Sequence, residues 1–180
     1  MNTDNVKFGT KAVHAGVEPD PSTGAIMTPI FQTSTYVQEG VGNHKGYEYS
    51  RTHNPTRTAL HSSLAALENG NHGLVFASGM AAIDAVVKLL KPGDEVISVN
   101  DLYGGTYRIF TTVFQQYGIN FKFIDLQDLD LLEETVSDKT KLIWAETPTN
   151  PTLRVMDIEG IVKIAKKNNI LVAVDNTFAT

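Results

Sequence analysis

The pattern of hydrophobic and polar positions divides the chain near residue 55. Residues 1 to about 55 contain frequent Gly and Pro and little periodicity, although their aromatic and β-branched side chains argue against disorder. A stretch of this length without regular elements is unusual inside a compact domain. We therefore expect residues 1–55 to form an ordered arm that packs on a neighbouring subunit, and residues 56–180 to form a folded domain.

Helical and strand patterns alternate from Asn54 to the end of the chain. Asn54-Pro55 predicts a capped helix that ends at Asn69-Gly70. Further helices are predicted from Ser78 to about Leu90 and over residues 107–117, 129–136 and 157–167. Strands are predicted over residues 73–77, 95–99, 120–124, 142–146 and 170–174, and the first and last of them are expected to be buried. This alternation is typical of an α/β fold with a mainly parallel sheet that is covered by helices.

Composition and charge exclude several classes of function. The 180 residues are 42% hydrophobic and 19% charged, as in a globular protein long enough to bury a core. The net charge of −5 argues against nucleic acid as a partner, and no apolar run is long enough to span a membrane. Cysteine is absent and the five histidines show no metal-ligand spacing, so we expect no metal site. A cytoplasmic location is the simplest expectation, because the first residues lack a signal-peptide core.

An acidic residue directly follows the last predicted strand. Val172-Ala173-Val174 leads into Asp175, and a carboxylate at the carboxyl end of a parallel strand lies where ligands bind. There it can pair with a cationic ring nitrogen. Pyridoxal phosphate (PLP) needs such a partner, because its pyridinium ring stores electrons. The alternative is an Asp that only caps a turn, and on this residue alone the alternative is favoured.

Three further loops offer groups for a phosphate and a planar ring. Ser78-Gly79-Met80 opens a helix whose first N–H groups can bind phosphate, or Ser78 can simply cap that helix. Tyr103, followed by two glycines, can lie over a planar cofactor or pack at a turn. Asn150, flanked by prolines, can bond a phenolate oxygen or form an Asx-turn. The convergence of these loops at one sheet edge strengthens the functional interpretation.

In the arm, Arg51 can bind phosphate through two N–H groups while Tyr49 donates another hydrogen bond. A surface arginine is the alternative. A nucleotide-binding α/β domain is disfavoured, because no Gly-x-Gly-x-x-Gly follows a strand and no P-loop occurs.

Five segments together resemble the Cys/Met-metabolism PLP-dependent enzymes, the trans-sulfuration family of cystathionine γ-synthase and γ-lyase. In family order and spacing they are Y-E-Y-S-R-x-x-N-P-T, F-A-S-G-M-A-A, D-L-Y-G-G-T, E-T-P-T-N-P-T and V-D-N-T-F. The resemblance covers about Gly9 to Thr180. It implies the aspartate-aminotransferase-like fold (fold type I), with residues 56–180 as the first part of the PLP-binding domain. It also implies a homotetramer built as a dimer of dimers.

The resemblance implies a role for each residue that lies in these motifs. Gly79 and Met80 give backbone N–H groups to the cofactor phosphate beside Ser78. Tyr103 stacks on the cofactor ring and takes part in catalysis. Asp175 pairs with the pyridinium nitrogen.

Five other residues receive roles in the same way. Thr177 lies beside the pyridinium partner, and Asn150 lies near the ring hydroxyl. Arg108 lies near the substrate end of the site and is assigned to catalysis. Tyr49 and Arg51 reach into the site of the partner subunit, in agreement with the predicted arm.

The implied activity is PLP-dependent carbon–sulfur lyase or transferase chemistry on cystathionine, cysteine or an O-acylhomoserine. Gly105 stands where methionine γ-lyases carry cysteine, which favours a cystathionine γ-lyase or γ-synthase. O-acetylhomoserine sulfhydrylase and methionine γ-lyase are the alternatives within the family.

The chain departs from the family pattern at its end. It stops at Thr180, before the Ser-x-Thr-Lys segment whose lysine forms the Schiff base and before the small C-terminal domain. We therefore expect the 180 residues to be the first half of such an enzyme and to be inactive alone. The alternative from another class of protein is a non-catalytic fragment that merely folds or assembles.

Overall fold

The computed structural model describes residues 6–180 and divides into two compact units, one that ends at Phe76 and one that spans Ala77–Thr180. In the first unit, helix α1 (Phe8–His14) packs against helix α2 (Pro55–Leu67). α2 begins as predicted: the Asn54 side chain accepts a hydrogen bond from the Thr56 N–H at 2.9 Å. α1 was not expected from the sequence. The boundary of the arm at residue 55 stays a prediction.

The described part of the first unit buries little apolar surface. Ala15 is its one fully buried hydrophobic residue among positions 6–76. The expectation of a buried strand over residues 73–77 is wrong, because Leu74 and Phe76 are exposed and no described strand pairs with this segment. The large hydrophobic side chains that are exposed here are Phe8, Val13, Ile26, Met27, Ile30, Val37, Val41, Leu60, Leu64, Leu74 and Phe76.

The second unit contains the parallel sheet that the sequence predicts. Its strands are β1 (Glu95–Val99), β2 (Asn120–Ile124), β3 (Thr140–Glu146) and β4 (Leu171–Asp175). They lie in the order β2-β1-β3-β4, with parallel neighbours throughout. The central strands β1 and β3 are almost entirely buried. β4 is an edge strand with exposed Leu171 and Val174, so the expectation of a fully buried last strand is wrong.

The helices of this unit follow the prediction with one exception. They are α3 (Gly79–Val87), α4 (Gly104–Arg108), α5 (Leu129–Thr135) and α6 (Ile158–Lys167). The predicted helix over residues 107–117 begins three residues earlier, and it continues after α4 as a π-helical turn (Ile109–Val113) and a 3₁₀ turn (Phe114–Tyr117). It ends at Gly118, whose φ of 80° suits glycine. Within residues 6–180, none of the helices has the length and apolar character that a membrane crossing requires.

An aromatic cluster joins the π-helical turn to the sheet. The Phe110 ring stacks on Phe121 of β2 with centroids 4.6 Å apart, and it meets the Trp144 ring of β3 edge-on at 5.5 Å. Full burial of a phenylalanine side chain such as that of Phe110 contributes about 1.5–3 kcal/mol. The cluster belongs to the core that holds β1, β3 and β4 side by side, so the loops at their carboxyl ends lie at one edge.

Candidate cofactor site

A cavity of about 360 Å³ lies where the loops after β1, β3 and β4 meet the amino end of α3. Its volume is within the range of roughly 300–1,000 Å³ that is usual for small-ligand sites. All of its lining residues belong to the second unit. They comprise seven residues proposed from the sequence, Ser78, Gly79, Met80, Tyr103, Asn150, Asp175 and Thr177, and four that were not proposed, Ile83, Glu146, Pro148 and Phe178.

The amino end of α3 presents free N–H groups to the cavity. Ser78 caps the helix, because its hydroxyl accepts a hydrogen bond from the Ala81 N–H at 3.2 Å. Within residues 6–180, neither Gly79 nor Met80 donates its backbone N–H to another residue. A Cβ added at Gly79 would meet no atom within 4 Å, so the space in front of it is open. The capping and the phosphate-binding interpretations are therefore compatible, since the cap uses a different N–H group.

Asp175 ends β4 with its carboxylate held in place on one side. Oδ1 accepts hydrogen bonds from the Thr177 hydroxyl at 2.6 Å and from the Thr177 N–H at 3.1 Å. Among the described residues, no group donates to the second oxygen, Oδ2. The backbone is anchored too, because the Asp175 carbonyl accepts a hydrogen bond from the Thr147 N–H at 3.0 Å. A fixed carboxylate with one open oxygen can accept a hydrogen bond from a cationic N–H group.

Glu146 is the main residue of the cavity that the sequence interpretation missed. It ends β3, is 4% exposed, and lies directly opposite Asp175 in the strand register. Its Oε2 accepts the Tyr103 N–H at 2.8 Å, and its Oε1 accepts the Asn150 N–H at 2.7 Å. The available signal was an acid that ends a buried apolar strand, which is the same signal that singled out Asp175.

The surroundings of Glu146 alter its acidity. Burial raises the pKa of the Glu146 carboxyl above its ordinary value, and the two backbone N–H groups oppose the rise only in part. The negative charges of Asp175 and Asp101 raise this pKa further. A cation in the cavity would be favoured electrostatically, since the carboxylates of Glu146 and Asp175 belong to residues that line it.

A second carboxylate joins the loop after β1 to the loop after β3. Asp101 accepts hydrogen bonds from the hydroxyls of Thr149, at 2.6 Å, and Thr152. These bonds to the Thr149 and Thr152 hydroxyls hold the pKa of the Asp101 carboxyl below its ordinary value. The two loops that carry Tyr103 and Asn150 are thus linked both by Asp101 and by the buried carboxylate at the end of β3.

Gly105 lies so close to the Tyr103 ring that no larger residue fits while the ring keeps this position. A Cβ at Gly105 would lie 2.3 Å from Cε1 of Tyr103 and 3.1 Å from Sδ of Met80. Tyr103 is 45% exposed and lines the cavity, so part of the residue is available to a planar ligand. This geometry suits the stacking interpretation of Tyr103.

The other three residues proposed from the sequence do not line the cavity. In the first unit, the Arg51 Nη2 donates to the Tyr49 hydroxyl at 2.7 Å, and its guanidinium carbon lies 5.0 Å from the Tyr49 ring centroid. Arg108 ends α4 with its side chain exposed. The roles of these three residues toward a cofactor or a substrate stay predictions.

One cavity of this α/β unit is lined by a helix N-terminus with free N–H groups, an aromatic residue and a carboxylate with one oxygen that has no donor among the described residues. These are the features of a site for a planar, anionic cofactor with a cationic ring nitrogen. The chain belongs to the family of Cys/Met metabolism PLP-dependent enzymes, whose sequence model matches residues 9–180. PLP is the cofactor of this family, and the residues of the cavity fit it.

Individual relatives agree with this assignment. The chain is 53% identical over 173 residues to a probable cystathionine gamma-synthase from Herpetosiphon aurantiacus, covering 96% of this chain and 54% of the relative. It is 49% identical over 180 residues to a cystathionine beta-lyase from Coxiella burnetii, covering 99% of this chain and 46% of the relative. The chain therefore spans about half the length of the curated relatives it matches.

The fold agrees with a solved structure as well. The crystal structure of cystathionine gamma-lyase from Lactobacillus plantarum complexed with L-serine matches with a TM-score of 0.94 and 44% sequence identity. The match covers 97% of this chain and 46% of that chain. The fold-type-I expectation is confirmed by this likeness.

Proposed function

We propose that the chain forms the cofactor-holding part of a PLP-dependent enzyme that acts on sulfur-containing amino acids. The observation that carries the proposal is Asp175, a cavity-lining carboxylate at a strand end, with one oxygen bonded to Thr177 and the other without a donor among the described residues. The names of the relatives support sulfur amino-acid chemistry, and the L-serine complex of a related lyase supports an amino-acid ligand.

Each lining group has a proposed task toward PLP. The N–H groups of Gly79 and Met80, beside Ser78, bind the phosphate. Tyr103 covers one face of the ring, and Asp175 keeps a proton on the ring nitrogen by accepting its hydrogen bond at Oδ2. When bound, PLP supplies an electron-withdrawing ring to which the amino group of a substrate can be attached.

Three further side chains complete the proposed site. Thr177 orients the carboxylate of Asp175 through its two hydrogen bonds. The side chain of Asn150 bonds the phenolic oxygen of the cofactor. Arg108 acts toward the substrate.

We propose cystathionine γ-lyase or γ-synthase chemistry on cystathionine, cysteine or an O-acylhomoserine. Gly105 supports it, since methionine γ-lyases carry cysteine at the matching position and a side chain here would displace Tyr103. O-acetylhomoserine sulfhydrylase and methionine γ-lyase are the competing assignments within the family. Turnover assays of the intact protein with cystathionine, with O-acetylhomoserine plus either cysteine or sulfide, and with methionine separate the three.

We also propose that residues 1–55 contact a neighbouring subunit in a homotetramer in the cytoplasm. The many large apolar side chains that are exposed among the described residues of the first unit support an assembly, because burial of such side chains against a partner is favourable. In that assembly Tyr49 and Arg51 bind the phosphate in the site of the partner subunit.

Replacement of Asp175 by Ala tests the proposed function. We expect kcat/KM of the intact protein to fall by about 30-fold or more, because loss of one partner of a buried charged pair costs about 2–5 kcal/mol. Steady-state kinetics measures the loss, and the absorption spectrum of bound PLP as a function of pH reports whether the ring nitrogen loses its proton more readily. Asp138→Ala, at an exposed loop position, is the control. Turnover of Asp175→Ala near that of the control would contradict the proposal.

A further inference from the structure

Both carboxylate oxygens of Glu146 accept hydrogen bonds from backbone N–H groups, and the two N–H groups belong to different loops. Oε2 takes the N–H of Tyr103, which lies 43 residues away in the chain, and Oε1 takes the N–H of Asn150, which lies four residues away. The carboxylate itself is buried at the end of β3, a strand in the middle of the sheet. Glu146 thereby joins two loops of the cavity to a buried central strand of the sheet.

We propose that Glu146 is a positioning residue that sets the Tyr103 ring and the Asn150 amide in their working places around the cofactor. The effect of Glu146 on a cofactor rests on the proposed function, whereas its two hydrogen bonds are independent of that function. Tyr103 immediately precedes α4, with φ −51° and ψ 129°, and no backbone carbonyl of the described residues accepts its N–H. A carboxylate oxygen is its acceptor instead.

The chemistry of this arrangement requires two acceptor oxygens on one side chain. A backbone N–H can only donate, and glutamine offers a single acceptor oxygen beside an NH₂ group. In a Glu146→Gln variant one of the two loop N–H groups would face that NH₂ group, and a buried donor without a partner is unfavourable. An aspartate keeps both oxygens but is shorter by one methylene group, so it cannot reach both loops equally well.

Asp101 provides a matched control, since it joins the same two loops through different partners. The groups that donate to Asp101 are the hydroxyls of Thr149 and Thr152, which can rotate and can also accept. An amide at position 101 can therefore replace the carboxylate. We expect Asp101→Asn to be tolerated and Glu146→Gln to be disruptive, although both changes remove one negative charge near the cavity.

The first test is amide hydrogen exchange of the intact protein without PLP. In Glu146→Gln, exchange at Tyr103 or Asn150 should accelerate about tenfold or more while β1 and β3 remain protected, because only the loop contacts are lost. Asp101→Asn should leave these two amides within about threefold of the unchanged protein. Equal protection of Tyr103 and Asn150 in Glu146→Gln and in the unchanged protein would overturn the proposal.

The second test is cofactor binding and turnover. We expect Glu146→Gln to raise the Kd for PLP about tenfold and to lower kcat by more than it changes KM, with Glu146→Asp intermediate. A purely structural role would lower the urea midpoint but leave Kd and kcat of the folded protein unchanged, and that result would also overturn the proposal. If the unchanged protein fails to bind PLP, the proposed function fails, whereas the exchange experiment still decides the role of Glu146.

Discussion

Gly105 lies against the ring of Tyr103 at a distance that leaves no room for a side chain. An alanine Cβ would lie 2.3 Å from Cε1 of Tyr103, and the half-exposed ring is the part that can move away. In Gly105→Ala we expect the ring to shift and the Kd for PLP to rise several-fold. The free energy of unfolding should change by less than about 1 kcal/mol, because the displaced side chain is free to adjust.

Gly104→Ala is the matched control for this change, because a Cβ at Gly104 would meet no atom within 4 Å. PLP titration and urea unfolding of both variants separate a ring effect from a backbone effect. An equal loss of PLP affinity in the two variants would show that the closeness of Gly105 to Tyr103 is irrelevant.

Among the elements, three neighbouring strands are linked by one buried carboxylate at the amino end of β1. Glu95 of β1 pairs with Lys122 of β2 at 2.9 Å, and it accepts hydrogen bonds from the hydroxyls of Thr140 on β3, at 2.7 Å, and Ser137, at 3.0 Å. Burial raises the pKa of the Glu95 carboxyl, but Lys122 and the two hydroxyls together outweigh burial and hold this pKa below its ordinary value of 4.5. The charged form of Glu95 is therefore favoured in the folded state.

This lowered pKa gives a stability prediction with a definite sign. The contribution of Glu95 is fully present above the ordinary value of 4.5 and is lost as the pH falls through the lower folded-state pKa. We expect Glu95→Gln to cost about 1–3 kcal/mol at pH 7 and to reduce the loss of stability below pH 4.5. Urea unfolding at a series of pH values measures both effects.

An exposed ion pair serves as the control for Glu95. Glu133 pairs with Lys167, and both side chains are at least half exposed. Glu133→Gln should change stability by less than about 1 kcal/mol at any pH, because exposed pairs contribute little. The prediction fails if Glu95→Gln and the control show the same dependence on pH.

For the whole molecule, the proposed exchange of arms between subunits can be tested by complementation. Arg51→Ala and Asp175→Ala, each inactive or nearly so alone, should recover activity when they are co-expressed. If Arg51 contributes to the site of the partner subunit, each hybrid dimer has one site in which both residues are intact. Random mixing makes about half of the dimers hybrids, so about a quarter of all sites are intact. Activity of purified, differently tagged hybrids is the measurement.

The matched control pairs Asp175→Ala with Tyr103→Ala, whose residues line one cavity of the same chain. This mixture should stay inactive, because every hybrid site lacks one of the two groups. Recovery in this mixture, or no recovery with Arg51→Ala, would contradict the assignment of the arm to the neighbouring subunit.

Local patterns were sufficient for α2 of the first unit and for most elements of the second unit. Strand β1 occurs over the predicted residues, and the caps at Asn54 and Ser78 form as expected, because capping and periodicity depend on residues close in the chain. The π-helical turn at Ile109–Val113 could not be predicted in this way. The wider turn contains Phe110, which packs against Phe121 of β2 and Trp144 of β3. These contacts join residues that are distant in the chain, so they leave no local pattern.

The sequence by itself determined the alternation of strands and helices and the acids that end β3 and β4, since each depends on a short stretch of chain. Only the tertiary structure decided what those acids contact. Strand order and register place Glu146 opposite Asp175. The two oxygens of Glu146 accept the N–H groups of Tyr103 and Asn150, whereas one oxygen of Asp175 has no donor among the described residues. Such pairings arise from packing between residues far apart in the chain, on which local patterns carry no information.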